Sequence, residues 1–165
     1  MLTLKPVTLT SPHMPACIAL DIAPHKKENE YVTPAAYTLA YAHDYNKRGI
    51  PYECRALYAG DEIVGLISYN YYTNDDVFTE VCYRIRPFLV DAKHQNKGYE
   101  TEALRLLLAE IETQPCGSAT AIFAAYNPKE TDSASLYADA GFNVTDMNWS
   151  AEDPDDDDMI VRKSL

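Results

Sequence analysis

The chain has 165 residues, a formal net charge of −11, 47% hydrophobic and 24% charged residues, which fits one compact globular domain and excludes a fibrous or disordered chain. The acidic balance disfavours sequence-independent binding to nucleic acid or anionic lipid and suits a cationic partner, while acidity for solubility alone explains it equally simply. No basic stretch followed by an apolar run opens the chain and no window reaches membrane-spanning length, so a cytoplasmic protein with no nucleic-acid or membrane partner is expected.

Leu2 to Val7 alternates as a short strand, and Pro12 to Ile22 and Pro34 to Lys47 are helix-compatible, broken by Pro24 and by Gly49-Ile50-Pro51. Three runs rich in β-branched and aromatic residues follow, Tyr52 to Ala59, Glu62 to Tyr72 and Phe78 to Val90, punctuated by Gly60-Asp61 and Thr73-Asn74-Asp75-Asp76. They predict an antiparallel meander. From Gly98 the period changes, because Ala103, Leu104, Leu107, Leu108 and Ile111 recur at helical spacing until Pro115 and Gly117. Ala119 to Tyr126 then reads as a strand, Ser133 to Ala140 as a short helix stopped by Gly141, and two last strands flank the acidic run Glu152 to Asp158. The predicted order is β-α-α-β-β-β-α-β-α-β-β in a single domain, 1–165.

Cys17, Cys54, Cys82 and Cys116 are widely spaced, with no C-x-x-C pair and no histidine at a zinc-ligand interval, and are expected to be reduced and mostly buried. The acidic run lacks the glycine and distal glutamate of a calcium loop and reads as a solvated connection, so no metal is expected. His13, His25, His43 and His94 form no dyad.

The chemically suggestive segment lies where the strand Val81 to Val90 passes through Asp91-Ala92-Lys93-His94 into Gln95-Asn96-Lys97-Gly98 and directly into a helix. Free backbone N–H groups at a helix N-terminus suit phosphate. Gly98 would let the backbone approach an anion, and Lys93 or Lys97 would add positive charge. A lone glycine before a helix is also simply a turn.

Gln95-x-x-Gly98-x-Glu100 after a fourth strand resembles the Q/R-x-x-G-x-G/A loop of the GNAT superfamily of N-acetyltransferases. Phe88 to Tyr99 is similar to the corresponding stretch of bacterial diamine and polyamine acetyltransferases, and Ser135-Leu136-Tyr137-Ala138-Asp139-Ala140-Gly141-Phe142 resembles the superfamily's LYxxxGF. Two departures stand out: Glu100 replaces the usual glycine or alanine, and Pro128-Lys129-Glu130-Thr131-Asp132 lengthens the interval from Asn127 to Tyr137.

The resemblance implies an α/β (α+β) fold with a mixed, mostly antiparallel central sheet of about seven strands and flanking helices. It further implies an acetyltransferase that uses acetyl-CoA as cosubstrate. Gln95, Asn96, Lys97, Gly98, Tyr99 and Glu100 would hold the pyrophosphate, and the backbone of Leu89 and Val90 would pair with the pantetheine arm. Asn127 would touch the cofactor or merely end its strand as a turn residue. Tyr137 would protonate the departing thiolate, its alternative role being core packing. Arg84 occupies the place where many relatives carry a glutamate base, which leaves Glu80 as an offset catalytic candidate, with a cross-strand ion pair or a water-mediated base as alternatives. Tyr69, Tyr71 and Tyr72 beside Asp75 and Asp76 suit an ammonium group, but serve equally as strand or interface aromatics. A small cationic amine is the expected acceptor, a peptide or protein amine the alternative, and a second copy of the chain a partner in a homodimer. The rival from another class is a catalytically silent coenzyme A-binding domain.

Overall fold

The computed structural model describes residues 1–21, 35–73, 78–129, 131–147 and 158–165. In chain order the elements are β1 (Leu2–Pro6), α1 (Met14–Ile18), α2 (Ala35–Lys47), β2 (Tyr52–Ala59), β3 (Glu62–Tyr72), β4 (Cys82–Val90), α3 (Tyr99–Ile111), β5 (Ala121–Tyr126), α4 (Thr131–Asp139), β6 (Asn143–Val144) and β7 (Met159–Ser164), with a single 3₁₀ turn at Ala92–His94 between β4 and α3. The order is the one the periodicities predict. Pro24, Pro34, His25, Asp75, Asp76, Glu130 and the acidic run up to Asp157 lie outside the described residues, as does the end of the first predicted helix at Ile22.

β4 and β5 start later than their sequence patterns propose, at Cys82 and Ala121. A strand needs a ladder partner, and Cys82 is where β4 meets both Tyr72 of β3 and Ala121 of β5. Phe78 is apolar for another reason: it packs against Tyr72 and Phe123, with ring centroids 5.2 and 5.0 Å away, in a small core with Cys82, Ala121 and Ile160.

Among the described residues, seven strands form one sheet in the order β1-β2-β3-β4-β5-β7-β6. Every neighbouring pair is antiparallel except β4 with β5. The alternation of side chains along β3 sends Ile67, Tyr69 and Tyr71 to one face and Leu66, Ser68 and Asn70 to the other. The first face is covered by α3, through Ala103, Leu104, Leu107, Leu108 and Ile111, and by Tyr137 and Phe142. The second face is covered by α1 and α2, through Cys17, Ala35, Leu39 and Ala42, packed on Tyr52, Cys54, Leu66 and Leu89. Burial pushes the Cys17 thiol up to about 11 and that of Cys54 up to about 12, so neither is a ready nucleophile. All four cysteines are free.

Two irregularities shape the middle of the sheet. In the β3–β4 ladder Ser68 faces Arg86 but Leu66 faces Leu89, so Pro87 and Phe88 together oppose the single residue Ile67: a β-bulge, at a proline that has no N–H to give a ladder. The parallel β4–β5 ladder runs only from Cys82–Ala121 to Arg84–Phe123, although β4 continues to Val90 and β5 to Tyr126. Beyond Arg84 the two strands part, and among the described residues the β5-facing edge of β4 has no strand partner. Among the described residues, no helix is long and apolar enough to cross a membrane.

Candidate active site

The parting of β4 from β5 opens directly toward the loop before α3. Asp91 starts that loop: its N–H donates to the Val64 carbonyl at 2.9 Å, and its carboxylate accepts the Lys93 N–H at 3.2 Å, capping the 3₁₀ turn. Gln95 then turns extended, and its side-chain amide donates back to the Val90 carbonyl at 3.2 Å. Asn96 (φ 59°) and Gly98 (φ 73°) both adopt the left-handed conformation. That reversal tips the chain into α3 and makes a concave run of N–H groups. The first bond inside α3 is Glu102 N–H to the Gly98 carbonyl, 3.2 Å, and no side chain caps the helix. The N–H groups of Tyr99, Glu100 and Thr101 therefore have no intrahelical acceptor. A Cβ at Gly98 would meet nothing within 4 Å, so the side of the loop that it would occupy is open.

The loop cations are unequal. Lys93 is engaged by Glu62 at 2.8 Å, and this pairing holds the Glu62 carboxyl below its usual range. Lys97 instead lies 3.2 Å from His94 Nδ1. An ammonium only donates, so His94 Nδ1 accepts there, while its buried Nε2, 3.3 Å from a Glu62 carboxylate oxygen, makes no hydrogen bond among the described residues. Glu100 and Glu102 lie in the first turn of α3, where a carboxylate complements the helix dipole. Glu102 is further occupied by the Leu2 N–H at 2.8 Å.

Leu89 and Val90 close β4 beside the gap. Gly65 explains how they are placed, since a Cβ there would collide with the Leu89 carbonyl. On the β5 side, Tyr137 projects from α4 onto the end of β5. It is 4% exposed, stacked on Tyr126 at 6.0 Å and edge-on to Phe142 at 5.4 Å. Its ring is thus held by two aromatic neighbours at the diverging end of the strand. Asn127, the next residue after β5, accepts the Lys129 N–H at 3.0 Å, the local turn that its type favours beside Pro128.

Glu80 is not among these residues. Its carboxylate takes Arg162 Nε at 2.8 Å and Nη2 at 2.9 Å, and the Thr120 hydroxyl at 2.6 Å. The Arg162 guanidinium beside it holds its carboxyl below the usual range. Such a group is a weak proton acceptor, and the ion pair ties the turn before β4 to β7. Tyr69 and Tyr71 are buried core residues, bonded to Glu110 at 2.8 Å and to the Ser118 carbonyl at 2.9 Å.

Arg84, which the sequence singled out, and Arg86, which it did not, occupy the other face of β4, two residues apart as a strand requires. Arg86 donates through Nε to Asn70 Oδ1 at 3.2 Å and lies over the rings of Tyr45 and Tyr52, 5.8 and 5.7 Å from their centroids. Arg84, on the same face, loses its proton more readily than an ordinary arginine, because of burial and then the like charge of Arg86. The sequence hint for Arg86 is its period-2 spacing from Arg84.

The acetyltransferase (GNAT) domain matches residues 2–143. The chain belongs to the GNAT acetyltransferase family and is an acetyl-CoA-dependent N-acetyltransferase. No curated protein sequence matches it. Among solved structures, the ribosomal-protein-S18-alanine N-acetyltransferase of Escherichia coli superposes with a TM-score of 0.70 at 15% identity, covering 100% of this chain and 94% of that one. A Bacillus subtilis acetyltransferase in complex with CoA gives 0.65 at 17% identity, over 100% and 99% of the two chains. A GNAT family acetyltransferase from Elizabethkingia anophelis with acetyl-CoA bound gives 0.63 at 16% identity, over 99% and 98%. At these identities the likeness concerns the fold.

Proposed function

We propose that this chain, acting as one domain, transfers the acetyl group of acetyl-CoA to a primary amine by direct attack in the gap between β4 and β5. The observation that carries this is the parting of β4 and β5 immediately ahead of a loop whose N–H groups have no intrahelical acceptor. The pyrophosphate lies on Gln95 to Glu100, held by backbone N–H groups with Lys97, which has no carboxylate partner among the described residues, as the loop cation. The pantetheine arm runs along the free edge of β4 at Leu89 and Val90, as an added strand would. The CoA complexes of two proteins of the same fold support this placement.

The neutral amine attacks the thioester carbonyl, the new C–N bond forms, and the C–S bond breaks. Tyr137 gives its phenolic proton to the departing thiolate, and the proton released from the amine nitrogen passes to water, which returns one to Tyr137. Glu80 serves the sheet through Arg162 rather than as the base, and Asn127 shapes the turn after β5. The likeness of Phe88 to Tyr99 to polyamine acetyltransferases supports a small amine acceptor. A peptide amine is the second reading, motivated by the fold shared with the S18-alanine enzyme.

A thermal-shift titration with acetyl-CoA, followed by thiol-release assays over polyamines, amino acids and short peptides, tests the proposal. Saturable stabilisation with amine-dependent thiol release is expected. Stabilisation without release for any amine would favour a silent coenzyme A-binding domain, and no stabilisation would remove both readings.

A further inference from the structure

Arg86 is unusually placed for an arginine of an acidic protein. It sits on β4 between Arg84, the last residue paired with β5, and the bulge at Pro87–Phe88. It is about 10 Å along the strand from Leu89, at ~3.3 Å per residue, and so beside the place where the reading above puts the thioester. Asn70 Oδ1 and the rings of Tyr45 and Tyr52 fix its guanidinium. Among the described residues no carboxylate reaches it, and neither Nη atom has a hydrogen-bond partner. Arg48, Arg55 and Arg162 each pair with an acid, whereas Arg105, which has none among the described residues, is exposed on α3.

Asn70 stands beside it on β3 with its amide turned to the guanidinium. It is 0% exposed, its oxygen is oriented by Arg86, and its Nδ2 is a buried donor with no partner. An unsatisfied buried amide costs stability and calls for an explanation. Its two N–H bonds and the free Nη groups of Arg86 are all donors, with the charge of Arg84 on the same face. A donor-only cluster of this kind fits a carboxylate and repels a polycation.

We infer that the acceptor is an amine that carries a carboxylate, held by Arg86 and Asn70 on the α2 side of the gap while its amine faces the acetyl group. The inference rests on the acetyltransferase reading and narrows it to amino acids and amines adjacent to a peptide carboxylate. It replaces the small polycation that the loop resemblance implies.

The experiment compares matched acceptors that differ only by the carboxylate: ornithine with putrescine, lysine with cadaverine, phenylalanine with phenethylamine, and a short peptide with its C-terminal amide. We expect the acid-bearing member of at least one pair to have the higher kcat/KM. Asn70→Asp should reverse that preference, because the Asp carboxylate keeps the bond to Arg86 but turns the remaining donor into an acceptor. Arg86→Gln should raise KM for the acid at least about 10-fold with little change in kcat. Free amino acid against peptide distinguishes the two sources of the carboxylate. Equal or better use of the carboxylate-free members overturns the inference and leaves the acetyltransferase reading intact. Calorimetry of the same N-acetylated acids on the CoA-loaded protein gives a readout independent of turnover, and binding unaffected by both substitutions, or no binding, also overturns it. Failure of acetyl-CoA itself to bind overturns the cofactor reading instead.

Discussion

Gly65 of β3 lies directly beneath the carbonyl of Leu89 in β4, with no room between them for a Cβ. The contact follows from the bulge: two residues of β4 facing Ile67 bring the Leu89 backbone over the neighbouring strand. Gly65→Ala must push β4 toward the gap or split the ladder. We expect a loss of about 1–3 kcal/mol in urea unfolding, and weaker acetyl-CoA binding than that loss alone would cause. A normal Kd in the folded variant would mean that the bulge does not position the pantetheine edge.

Gly98→Ala probes the loop without a steric clash, since a Cβ there meets open space. The cost is conformational, because the residue before α3 holds φ 73°; about 1–2 kcal/mol is expected for an L-residue held there. Binding of acetyl-CoA by calorimetry should weaken more than stability does, and Gly98→Asn should be milder in both.

Tyr137→Phe keeps the stack on Tyr126 and the edge contact with Phe142 while removing the proposed acid. The Kd of acetyl-CoA should be nearly unchanged, with kcat lower by about 10²-fold. An unchanged kcat would return Tyr137 to the core.

Glu80→Gln separates an ion pair from a base. The Glu80 carboxyl is lowered in the folded protein by Arg162 and then Thr120, so the pair contributes above the carboxyl's unfolded value and that contribution is lost as pH falls through the folded one. Both partners are about a third exposed, so the variant should lose no more than about 1 kcal/mol at pH 7. The difference from wild type should fade below about pH 4. The pH profile of kcat/KM should keep its shape, whereas loss of a general base would cost about 10²-fold or more.

Arg55, 12% exposed, ties the sheet to α3 by reaching Glu110 at 2.6 Å, and Glu110 also accepts the Tyr69 hydroxyl at 2.8 Å. Glu110→Ala leaves that guanidinium half-paired, with only Glu53 at 2.8 Å, and should cost about 3 kcal/mol in chemical denaturation. Arg55→Met combined with Glu110→Leu should recover much of it, because the desolvation penalty then disappears.

Local patterning determined most of the element order. The bounds of β2 and β3 follow from alternation between turn residues, and α3 follows from the 3.6-residue recurrence of Ala103, Leu104, Leu107, Leu108 and Ile111, because each depends on neighbours within a few positions. The loop from Gln95 to Glu100 was readable for the same reason: a glycine ahead of a helical period marks both a left-handed residue and a row of unpaired N–H groups. Which strands part, and where, depends on pairings between residues far apart in the chain, such as Arg84 with Phe123, and no local pattern encodes them. Tertiary structure likewise gave Glu80 to Arg162, made Gly65 indispensable to the Leu89 carbonyl, and set Arg86 on Asn70. The loop proposed to bind the cofactor is therefore written in one stretch of sequence, whereas the face proposed to select the acceptor is assembled from three strands and a helix and exists only once they have packed.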